Sequence, residues 1–174
     1  MKRTMMVVVG VLIVALTAAA QEMPRVEIFG GYSYLNVPAS GQEKGFGLNG
    51  WNAQGSVNIN NWLGVTADFG GTYGSPFSVS LHNYSYMFGP TLSYRATRIV
   101  PFAHALFGGS HLSSSIGGLS ASENVFAMAV GGGVDVPLVR HFGVRLAQVD
   151  WMRTQYFNTT QNNLRVSTGA MLRF

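Results

Sequence analysis

The chain has 174 residues, one domain's worth, with 10% charged residues, 22 glycines, 12% aromatics and no cysteine. Soluble domains carry roughly a quarter charged residues, a helical bundle wants Ala, Glu, Lys and Leu rather than Gly, Tyr and Ser, and 47% hydrophobic content excludes disorder. Zero cysteine excludes disulfides, thiolate metal sites and a lipid-modified N-terminal cysteine, and a formal charge of +4 without any Lys/Arg cluster gives no nucleic-acid footprint.

The first element is an export signal. Lys2 and Arg3 form a positive start, residues 5–16 are an apolar run, and Ala18-x-Ala20 stands before Gln21. The apolar run is short of the ~20 residues needed to span a bilayer. The expected division is a signal peptide over 1–20 and a single domain over 21–174. Of the eleven Lys and Arg, two leave with the signal, so nine face seven acids and the mature charge is +2.

Beyond the signal no run of ~18 apolar residues occurs, and a period of two recurs along eight segments, of which the fifth and seventh resist it. Segment one puts Val26, Ile28, Tyr32 and Tyr34 on one face. Segment two opposes Trp51, Ala53, Val57 and Ile59 to Asn52, Gln54, Ser56 and Asn58. Segment three opposes Leu63, Val65, Ala67, Phe69 and Tyr73 to Thr66, Asp68 and Thr72. Segment four alternates Tyr84, Tyr86, Phe88, Leu92 and Tyr94 with Ser85, Thr91, Ser93 and Arg95, and its Pro90 predicts a local irregularity. Segment five, 102–110, is apolar on both faces, and only His104 suggests an inside. Segment six opposes Phe126, Met128, Val130, Val134 and Val136 to alanines, glycines and Asp135. In segment seven, 142–154, the phase slips, and a bulge near Ala147 would keep Arg145, Gln148 and Asp150 together. Segment eight opposes Leu164, Val166, Ala170, Leu172 and Phe174 to Arg165, Ser167, Gly169 and Arg173.

The connections alternate. Residues 60–62, 96–99 and 137–141 are tight turns; 36–46, 74–81, 112–123 and 155–162 are longer loops rich in Gly, Ser, Asn and Thr. Such a pattern predicts an all-β, eight-stranded antiparallel up-and-down barrel with both termini at the short-turn, periplasmic end. The charges choose its solvent. In the clearly phased segments the apolar face holds no charge, whereas the other carries Glu27, Asp68, Asp135 and Asp150 with Arg95, Arg145, Arg165 and Arg173. A charge facing lipid at midplane costs roughly 2–4 kcal/mol, so the apolar face is the lipid face and the eight charges are expected as ion pairs inside. An eight-stranded lumen has room only for side chains. Eight aromatics (Tyr32, Tyr34, Trp51, Trp62, Tyr73, Tyr84, Tyr94 and Trp151) lie near strand ends, where interfacial girdles sit.

From Val26 to Phe174 the chain resembles the small eight-stranded outer-membrane β-barrel family, and is similar to the transmembrane domain of outer-membrane protein A and to attachment-invasion barrels. The resemblance rests on 26–34, on Phe88-Gly-Pro90 with Leu92-Ser-Tyr-Arg95, on 131–135, and most on 165–174, whose alternation closes on Phe174. It implies outer-membrane localisation and a last-strand signal at Phe174 read by the barrel assembly machinery, with periplasmic chaperones and outer-membrane lipids as further partners. Nothing follows Phe174 that matches the peptidoglycan-binding domain of full-length outer-membrane protein A.

No cofactor, metal site or enzyme activity is expected. His111-x-Ser113 with Glu123 downstream superficially resembles the His/Ser/Glu arrangement of outer-membrane lipid A deacylases. A serine nucleophile needs a base oriented by a third group, and Ser113 is expected at the start of a flexible Ser-rich loop, without the flanking residues of those enzymes. His82 and His141 read as solvent or headgroup contacts, and His104 as a hydrogen-bonded lumen residue. The expected function is a non-catalytic, monomeric outer-membrane barrel serving envelope integrity or surface contact through its loops. Behind it stand a narrow porin-like conduit and a lipid A-modifying enzyme.

Overall fold

The computed structural model describes residues 24–38, 45–75, 80–96, 98–116, 119–156 and 159–174; the expected signal peptide lies outside them. Eight strands follow in order: β1 (Val26–Val37), β2 (Phe46–Asn58), β3 (Leu63–Gly74), β4 (Ser80–Ser93), β5 (Val100–Ile116), β6 (Leu119–Val139), β7 (Phe142–Tyr156) and β8 (Thr159–Arg173). Each pairs antiparallel with its sequence neighbours, and β1 pairs with β8 from Glu27↔Arg173 to Asn36↔Leu164, closing the barrel. Closure leaves no unpaired edge, which lets strands cross hydrocarbon. The seam is stitched at its foot: Phe174 accepts from the Arg25 and Val26 amides through its carbonyl and donates its own N–H to Val26.

Successive strand side chains point to opposite faces, and the burial pattern is the reverse of a soluble barrel's. Ile28, Val65, Phe69, Phe88, Leu92 and Leu164 are exposed on the outside, while Asp68, Gln148, Asp150 and Ser167 are fully buried inside. In β5 the interior face is Phe102, His104, Leu106 and Ser110, and the exterior face is Ala103, Ala105 and Phe107. The inward side is apolar too because Leu106 joins a buried apolar layer and the Phe102 ring lies under the Arg145 guanidinium.

Two irregularities fall where the sequence breaks its period. Val134 pairs with Ala147 but Asp135 with Arg145, so the extra residue is Leu146, one position from the expected Ala147. The bulge keeps Arg145, Gln148 and Asp150 all buried. At Pro90 the β4–β5 ladder is interrupted between Phe88↔Phe107 and Thr91↔His104.

Two of the expected loops are instead strand. Residues 112–116 and 119–123 extend β5 and β6, with pairing to Ile116↔Leu119, and 155–156 and 159–162 extend β7 and β8, with pairing to Tyr156↔Thr159; 117–118 and 157–158 lie outside the described residues. In these stretches Ser, Thr, Asn and Gln fall at both odd and even positions, so the period of two vanishes from the sequence while the ladder continues.

Candidate functional site

The interior charges fall into two groups. Near the termini, Glu27 on β1 receives Arg173 from β8 at 3.0 Å and Arg95, two residues past the end of β4, at 3.1 and 3.2 Å, with Asn58 adding a fourth bond at 3.0 Å. Deeper in, Arg145 clasps Asp135 at 2.7 and 3.0 Å and lies over the Phe29 and Phe102 rings, its carbon 4.3 and 4.2 Å from their centroids. A cavity of about 20 Å3 between these groups, bordered by Ser56, Thr91 and His104, has room for about one water.

Arg145 also donates to Gln54 at 2.6 Å and to Gln148 at 2.5 Å, and these amides pass the network onward. Gln54 donates to Asp68 at 2.6 Å, and Gln148 to Asp150 at 2.7 Å. Arg165 holds both carboxylates, Asp68 at 2.8 and 2.9 Å and Asp150 at 2.9 and 2.8 Å. His104 Nε2 donates to Asp150 at 2.8 Å, and Asn52 to Asp68 at 3.0 Å. Arg165 on β8 reaches Asp68 on β3 across the lumen, and His104 on β5 reaches Asp150 on β7 over Gly131 of the strand between them. Gly131 makes the room: a Cβ there would collide with Asp150 Oδ1.

The eight charges named from the sequence are thus all brought together inside, Asp150 directly opposite Arg165 in the ladder and Glu27 opposite Arg173. The sequence did not reveal that Asp68, from the far side of the barrel, shares Arg165. Nor is the filling polar throughout. Above the ionic belt Leu35, Leu48, Met87, Leu106, Ala127, Ala129 and Met152 form a buried apolar layer, a correction to the polar interior expected. Period-two phasing places Leu35 and Met87 inward, and that parity was the available signal.

On the outer wall the extracellular half carries a chain of polar aromatics. Trp51 Nε1 donates to the Tyr73 hydroxyl at 3.1 Å, and Tyr73 donates to Tyr84 at 3.3 Å. The His82 ring stands edge-on to Tyr73, centroids 5.5 Å apart. Arg153 is exposed on the same outer face of β7, the outward charge that the phase slip concealed. Next to Tyr84 in the ladder is His111. Its Nδ1 bonds Asn124 Oδ1 at 2.8 Å, and its Nε2 lies 3.2 Å from Ser113 Oγ. Ser113 is on strand β5, paired with Ser122 and His82, not in the loop expected. Glu123, the third member suggested by spacing, alternates to the other face of β6, and Asn124 takes its place. Among the described residues no cluster of three His, Asp or Glu could hold a metal.

The model of the outer membrane protein beta-barrel domain matches residues 6–174. Neisserial surface protein A superposes with a TM-score of 0.73 at 15% identity, covering 86% of this chain and 97% of that one. The attachment invasion locus protein of Yersinia pestis gives 0.66 at 19%, covering 87% and 99%. The N-terminal barrel domain of Pseudomonas aeruginosa OprF gives 0.59 at 9%, with the same coverage. At these identities the likeness is one of fold. No curated protein sequence matches the chain.

Proposed function

The chain belongs to the outer membrane protein beta-barrel domain family, and from that premise we propose that it is a sealed barrel of the bacterial outer membrane, exported by a cleaved signal peptide. Its role is to reinforce the envelope and to present its extracellular hairpins for contact. The observation that carries this reading is the lumen itself. The ionic bond from Arg165 to Asp68 crosses it, the hydrogen bond from His104 to Asp150 bridges β5 and β7, and the Leu35–Met87–Leu106 layer lies above them. The interior carboxylates Glu27, Asp68, Asp135 and Asp150 are each bonded to an arginine, so these four are held as ion pairs rather than poised for acid–base chemistry.

The β5–β6 hairpin supports the surface-contact half of the reading. These strands run 17 and 21 residues, against 12 in β1 and β3, and so extend well beyond the girdle. Outer-membrane lipids are the constant partner, with assembly machinery and chaperones acting during biogenesis on a monomer. The test is complementation of a strain lacking the protein, with the wild type and with a variant whose hairpin is shortened across 112–123. Dye exclusion restored by both, with surface capture of other cells or matrix lost only in the shortened form, is the expected result. A steady large conductance in planar bilayers would refute the sealed lumen.

A further inference from the structure

We propose that the outer wall of the β5–β6 hairpin holds a serine-nucleophile site that hydrolyses the ester-linked acyl chain of an outer-leaflet lipid. The groups are Ser113 as nucleophile, His111 as base and Asn124 as the residue that positions the base. A hydroxyl becomes a nucleophile when a base lies within hydrogen-bond reach and a third group fixes that base. Here Ser113 Oγ is 3.2 Å from His111 Nε2, and His111 Nδ1 is 2.8 Å from Asn124 Oδ1. The amide oxygen accepts from Nδ1–H, which leaves the Nε2 lone pair facing the serine hydroxyl, the tautomer a general base requires. All three residues sit on paired strand, His111↔Asn124 and Ser113↔Ser122, so the ladder holds the arrangement.

Location selects the substrate. His111 is directly opposite Tyr84, part of the hydrogen-bonded Trp51–Tyr73–Tyr84 chain on the outer face. Such aromatics mark the boundary of hydrocarbon and headgroup, the depth at which acyl ester bonds lie. Ser113 is two residues farther out, within reach of water. Both flanks of β5 are occupied by ladder bonds, so an oxyanion donor has to come from a side chain, and His82 is directly opposite Ser113 on the same face.

In the reaction Ser113 Oγ bonds the acyl carbon as its proton passes to His111 Nε2. The tetrahedral intermediate collapses, the ester C–O bond breaks, and the lipid hydroxyl leaves with the proton from His111. Water, deprotonated by His111, then attacks the acyl-serine, releasing the fatty acid and restoring Ser113. An asparagine stabilises the imidazolium less than a carboxylate would, so turnover is slow. The inference goes beyond the envelope role, which stands whether or not the site works.

The experiment labels the refolded full chain in detergent micelles with a fluorophosphonate, with folding of each variant checked by heat-modifiable migration. The expected result is one phosphonyl group on Ser113, found by peptide mass, and none in Ser113→Ala. His111→Ala should label about 10²–10⁴-fold more slowly, and Asn124→Asp faster than wild type. Hydrolysis of p-nitrophenyl palmitate should follow the same order, and His82→Ala should lower kcat with KM unchanged. No label on folded wild type, label on another serine, or an undiminished rate in His111→Ala would overturn the proposal.

Discussion

Replacing Arg165 by Gln tests whether the lumen is a closed electrostatic system. Arg165 is 2% exposed, and both carboxylates it holds, Asp68 and Asp150, are 0% exposed. Removing one partner of a buried ion pair costs about 3–5 kcal/mol, because the stranded charge stays out of water, whereas neutralising every member costs far less. The stranded anions here keep no arginine, only Asn52 and Gln54 for Asp68 and Gln148 and His104 for Asp150. Arg165→Gln alone should therefore cost about 3–5 kcal/mol. Adding Asp150→Asn should recover only part of the loss, since Asp68 remains ionised and unpaired. Adding Asp68→Asn as well should recover most of it, leaving about 1–3 kcal/mol for altered hydrogen bonds. The assay is urea unfolding in lipid vesicles followed by tryptophan fluorescence. Strictly additive losses across the three substitutions, or a double variant as stable as the triple, would refute a shared guanidinium in a sealed lumen.

Three further outcomes follow from the same geometry. Gly131→Ala drives a methyl into Asp150 Oδ1 and should destabilise the barrel by about 1–3 kcal/mol, while Gly30→Ala, with nothing within 4 Å, should fall within about 0.5 kcal/mol of wild type in the same urea assay. Reconstituted in planar bilayers, the protein should show no large stable channel, and steady openings of porin size would mean that the ionic belt and apolar layer do not close the lumen. Deleting Phe174 removes the carbonyl that accepts from Arg25 and Val26 and the amide that bonds Val26; assembly should slow while export is unchanged, and wild-type levels of the heat-modifiable form would count against its role as an assembly signal.

What the sequence determined by itself is whatever local alternation and charge sign control. Six clearly alternating segments and the turns between them gave the strand order, the absence of charge from one face of those segments gave lipid as its solvent, and counting back equally from the middle of the 155–162 connection puts 150 opposite about 166, next to Arg165. These are legible because a strand's pleat converts position parity directly into facing. The bulge was legible too, to within one residue, because a phase slip in 142–154 needs an extra residue somewhere. The tertiary structure decided what parity cannot carry. Asp68 reaches Arg165 across the lumen because closure curls β3 toward β8, a contact 97 residues apart in the chain. The inside of 102–110 waited on its neighbours, since Phe102 and Leu106 look alike to either solvent until Arg145 and Met87 are in place. The hairpin strands around 112–123 read as loop because Ser falls at both odd and even positions and erases the alternation. Only the ladder, set by strand pairing below it, keeps Ser113, His111 and Asn124 on one wall and turns Glu123 away.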